Sequence, residues 1–166
     1  IIAAYKVADM YKNGYFVEKD YGKYKEMIEG LYPKVKKARR LNEPLPEIFT
    51  RLAKIRSEEG NVKEALRLYD RAKDFLAQRI QTHSFFGDLN IMKWMTEDIY
   101  KLREFDTEGM WLYDLYFLLK TPKNVRFKLE ETPHEVEAVE EDCAIVIRFD
   151  DRWFRTIDDF FQKAEV

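Results

Sequence analysis

The sequence predicts an α+β protein: an N-terminal all-α solenoid of helix–turn–helix repeats, followed by two helices and a small antiparallel β-sheet with a C-terminal helix. Three observations predict it. Apolar residues recur at helical spacing through the first two thirds of the chain. Asn13-Gly14 and Gly60-Asn61 punctuate that stretch 46 residues apart, and Ala8 and Ala53 lie 45 apart, which is the mark of an internal repeat. After Pro122 the period falls to two, as in half-buried strands. The expected regions are therefore 1–80 (helical repeats), 81–121 (continuing or capping helices) and 122–166 (sheet plus helix).

Composition bounds the class. The 166 residues are 46% hydrophobic and 15% aromatic, enough for a packed core and unlike a disordered chain. No apolar run approaches 18 residues, so no membrane span is expected. The opening IIAAYKVADM lacks an initiator Met and a secretory pattern, which predicts a piece of a longer protein. Cys143 is the only cysteine. It excludes an intrachain disulfide and a thiolate metal cluster, and fits a reducing, cytoplasmic setting. The net charge of −2 hides an asymmetry: residues 1–80 carry 18 Lys and Arg against 12 Asp and Glu, and residues 81–166 carry 11 against 19. Halves of opposite sign read as two modules that attract each other or as two different binding surfaces.

Ala4, Val7, Ala8 and Tyr11 fall on one stripe of a first helix. Gly14 ends it, since glycine enters the left-handed region at little cost. Asp20 is the expected N-cap of a second helix through Tyr24, Met27 and Ile28. Gly30 weakens that helix, and Pro33 fits the start of a continuation. The basic run KVKKARR, Lys34 to Arg40, reads either as a phosphate contact or as a solvated helix face, the ordinary meaning of a short charge run. LNEPLPE, Leu41 to Glu47, reads as a loop because of its two prolines. From Ile48 a third helix carries Phe49, Leu52, Ala53 and Ile55. After Gly60-Asn61 a fourth carries Ala65, Leu68, Tyr69 and Ala72. The alanines let helix axes approach closely.

Phe49, Leu52, Ala53, Gly60, Ala65, Tyr69 and Ala72 resemble the tetratricopeptide pattern; Arg56 departs from it where an aromatic is usual. Ala8, Met10, Tyr11, Gly14, Val17, Asp20 and Lys23 resemble the SEL-like variant of that repeat. Phe16 departs where the variant often has glycine, and Tyr24 where it usually has alanine. The resemblance covers residues 1–80. It implies a solenoid, and two units imply either upstream repeats or a neighbouring module acting as a cap.

Beyond residue 80, QTHSFFGD (Gln81 to Asp88) reads as a connection with Asp88 as an N-cap. Leu89 to Arg103 reads as a helix with Ile91, Met92, Met95, Ile99 and Leu102 on one stripe. Thr107 to Lys120 reads as an aromatic-rich helix with Trp111, Tyr113, Tyr116 and Phe117. Val125, Phe127 and Leu129 then alternate with charged residues as a first strand, and Thr132-Pro133 breaks it. His134 to Glu140 is the second strand, with Val136 facing in. Cys143, Ile145, Ile147 and Phe149 form the inward row of a third. Asp150-Asp151 marks a turn before Trp153 and Phe154. Thr156 and Asp159 form a helix start signal ahead of Phe160, Phe161 and Ala164.

No catalytic constellation is complete. His83 and His134 have no metal-ligand spacing and read as surface or loop residues. Cys143 and His134 could form a nucleophile and base across a hairpin, but the alternation makes Cys143 a buried small hydrophobe. No phosphate-binding glycine loop is present. Asp150-Asp151 and Asp158-Asp159 sit where turns and helix starts favour Asp. No cofactor, metal or enzymatic activity is expected.

The acidic run Glu130, Glu131, Glu135, Glu137, Glu140, Glu141 and Asp142 reads as a solvated hairpin face, or as a surface for a basic partner. The function expected is a non-catalytic scaffold or adaptor that binds a protein or peptide, with no role for membrane or nucleic acid. The resemblance implies a groove lined by the first helix of each pair: Tyr5, Asp9, Lys12 and Asn13, then Glu47, Thr50, Lys54, Ser57 and Glu58. The alternative is an immunity-like or regulatory protein, by analogy with small acidic bacterial proteins, that meets a basic partner through its acidic sheet.

Overall fold

The computed structural model describes residues 1–35, 45–82, 86–104, 112–129 and 132–164. The fold is α+β. Helices α1 (Ile2–Asn13), α2 (Tyr21–Val35), α3 (Leu45–Glu58), α4 (Val62–Thr82), α5 (Phe86–Leu102) and α6 (Leu112–Leu118) precede strands β1 (Lys123–Leu129), β2 (Thr132–Glu141), β3 (Ala144–Phe149) and β4 (Arg152–Phe154), and helix α7 (Ile157–Lys163) follows them. Two compact units divide the chain, Ile1–Met95 and Thr96–Val166. The division falls inside α5, so the sequence-based boundaries at 80 and 121 each lie within a unit.

In the first unit, α1 packs on α2, α2 on α3 and α3 on α4. Both hairpin turns work as their glycines predict. Gly14 has φ +74 and Gly60 φ +78. The N–H of Tyr15 returns to the Met10 carbonyl at 3.1 Å, and that of Asn61 to the Arg56 carbonyl at 2.8 Å, the bond pattern of a left-handed helix end. The connections then differ in length. Asp20 caps α2 through a 2.9 Å bond from the Lys23 N–H, six residues after its glycine. Asn61 caps α4 one residue after its own.

Leu52, Ala53 and Ile55 are buried against Ala65, Leu68, Tyr69 and Ala72, and the ring of Phe49 lies between those of Tyr32 and Phe75. Four expectations are corrected here. Val7 is exposed, because α1 turns Tyr5 and Ala8 inward instead. Helix α2 runs through Gly30 and Pro33 without a break, since burial of Leu31 and Val35 on either side outweighs the lost hydrogen bond. Helix α3 starts at Leu45, with Pro46 in its first turn, where a missing N–H costs nothing. Asp88 lies inside the first turn of α5 and is no N-cap.

In the second unit the strands form one antiparallel sheet in the order β1-β2-β3-β4. Val136 pairs with Val125 on one side and Phe149 on the other, and Ile147 lies between Ala138 and Phe154. These six side chains make the buried face, covered by Tyr100, Leu115, Leu118, Leu119 and Phe160. The Phe160 ring sits 5.4 Å from Phe149 and 5.5 Å from Phe154. Thr156 caps α7 by accepting the Asp159 N–H at 3.0 Å, as its sequence signal predicts.

Asp142-Cys143 and Asp150-Asp151 are two-residue turns with all four residues at positive φ, the geometry that matches strand twist in tight hairpins. Thr132-Pro133 does not interrupt the sheet but opens β2, where a proline is tolerated. Residues 152–154 add a fourth strand beyond the three expected.

Candidate functional site

Helices α1, α2 and α3 bring three of the predicted polar positions, Asp9, Lys12 and Glu58, together around one buried tyrosine. Tyr24, on α2, is 1% exposed, and its hydroxyl has no hydrogen-bond partner among the described residues. Lys12 of α1 lies over its ring, 5.2 Å from the centroid. Burial pushes the Tyr24 hydroxyl up to about 12; Arg51 pulls the other way, and the carboxylates of Asp9 and Glu58 add to the rise. Beside it, Arg51 of α3 grips Asp9 of α1 with two bonds, Nε to Oδ1 at 2.8 Å and Nη2 to Oδ2 at 2.6 Å. Its third nitrogen donates to the Glu47 carbonyl at 2.8 Å, and its guanidinium lies 4.6 Å over the Tyr5 ring. The Tyr21 hydroxyl donates to Glu58.

A second arginine ties three helices. Arg79 of α4 donates to both oxygens of Asp88 on α5, at 2.8 and 2.6 Å, and to Oε1 of Glu47 on α3 at 2.8 Å. All three side chains are largely buried, and Oε2 of Glu47 accepts no bond among the described residues.

The nine predicted groove residues therefore divide. Tyr5 is buried beneath Arg51 and Glu47 is held by Arg79, so neither offers a free side chain; both point into the helix packing because cations from neighbouring helices reach them. Asp9 is paired with Arg51. The Thr50 hydroxyl is turned back to the Pro46 carbonyl at 2.6 Å. Lys12, Lys54 and Ser57 are half-buried, and Asn13 and Glu58 are exposed. Sequence reasoning missed Tyr21, Tyr24, Arg51 and Arg79. Arg51 and Asp9 stand 42 residues apart, and no local period signals such a pair.

The three departures from the resembled repeat pattern each have a structural consequence. Arg56 pairs with Glu29 of α2 and with Glu59, both at 2.7 Å. Tyr24 supplies the buried hydroxyl. Phe16 stands at φ +63 where a glycine would be unstrained.

In the sheet unit the acidic run is interleaved with arginine. Glu137 pairs with Arg148 at 2.6 Å, and Glu135 lies 3.7 Å from Arg126. Glu140, Glu141 and Asp142 are exposed at the β2–β3 turn. One reading of a single residue is corrected: Cys143 is exposed, since its turn conformation takes it off the row of Ile145, Ile147 and Phe149. His134 lies in β2, the strand the sequence assigns it to, its ring 5.4 Å from Phe127 and 5.6 Å from Phe149, with Nδ1 3.8 Å from Asp150. His83, Lys36–Arg40, Trp111, Glu130 and Glu131 lie outside the described residues.

Among the described residues, no group of three His, Cys, Asp or Glu is placed to hold a metal ion, and no helix is long and apolar enough to cross a membrane. No protein-family model, curated protein or solved structure matches the chain.

Proposed function

We propose that the protein is a non-catalytic binding module that takes a protein or peptide along α1 and α3, the first helices of its two hairpins. The observation that carries this reading is the convergence of Lys12, Asp9, Arg51, Glu58 and Tyr21 around the buried Tyr24. Polar groups from three helices meet there, Asp9 bonded to Arg51 and Glu58 to Tyr21, an arrangement that preorganises a recognition surface. The accessible members are Asn13 and Glu58, with Lys12, Lys54 and Ser57 partly so. A mixed-charge surface of this kind suits an extended polar segment, with Lys12 reading its acidic groups. The alternative, an acidic sheet face against a basic partner, loses support because Arg148 and Arg126 stand beside two of its carboxylates.

The test is capture of partners from the source organism's lysate with the intact chain, set against a variant carrying Lys12→Glu, Lys54→Glu and Glu58→Lys. A specific partner held by the intact chain and lost with the variant is the expected result. A partner retained equally by both, or none at all, overturns the reading.

A further inference from the structure

We draw no further inference here: the strongest candidate, the outward face of the sheet where Glu137, Arg148 and the exposed Trp153 stand in one row across β2, β3 and β4, is an unpartnered face, and nothing in the structure shows what covers it.

Discussion

At the scale of single residues, two kinds of position stand apart from the packing. Gly14 is required twice over: its φ of +74 strains any side chain, and an added Cβ would meet the Lys19 Cβ at 3.3 Å. Tyr24 carries its hydroxyl into the core without a described partner, which costs folding energy that a phenylalanine would not. Tyr24→Phe is expected to leave the protein as stable at neutral pH or more so, by up to about 1 kcal/mol. It also changes the alkaline limb. The hydroxyl is raised from 10.0 to about 12 in the folded state, chiefly by burial. Its contribution is thus complete below pH 10 and is lost as pH rises toward 12, since the unfolded chain ionises first. Urea unfolding between pH 9 and 12 checks this: the wild type loses roughly 1–3 kcal/mol more than Tyr24→Phe over that window.

At the scale of elements, helix ends obey local rules and helix partners do not. The Gly14 and Gly60 turns, the Asp20 and Asn61 caps and the Thr156 cap all follow from residues within six positions of one another. The Arg79 cluster joins α3, α4 and α5 through side chains that no local pattern links. Its energetics are set by burial. Arg79→Met strands two carboxylates among packed helices and is expected to destabilise the first unit by about 3–5 kcal/mol. Arg79→Met combined with Asp88→Leu recovers much of that loss, because the stranded charge of Asp88 goes with its partner. Denaturant midpoints of the two variants decide between this account and one in which Arg79 contributes mainly by packing its aliphatic stem.

At the scale of the whole molecule, the described chain has two units, each with its own core. In the second, Phe160 is the keystone, edge-on to both Phe149 and Phe154. Phe160→Ala is expected to cost about 3–5 kcal/mol in this unit. Hydrogen exchange at the amides of Val136 and Ile147 checks it; protection unchanged from wild type would show that the sheet does not depend on α7. Ion pairs also form inside each unit: Glu137 meets Arg148 and Asp9 meets Arg51.

The sequence by itself determined the class and most of the elements. Periods of 3.6 and 2, glycines at helix ends, and Asp or Thr at helix starts are local signals, and each is written in the residues that adopt the structure. It also placed Val136, Ile147 and Phe149 on the buried face of the sheet, because strand alternation is strict. What only the tertiary structure decided were the sides and the partners. Helix α2 continues through Pro33, Val7 faces out, Cys143 leaves its row, and Tyr5 and Glu47 are withdrawn from the surface. Cys143 leaves its row through its own turn conformation; in the other cases packing and ion pairing outweigh a local preference worth about 1 kcal/mol, or about 3 for the proline. Burial and ion pairing between residues tens of positions apart set those outcomes, and one chain read in order carries no record of which distant residue will arrive.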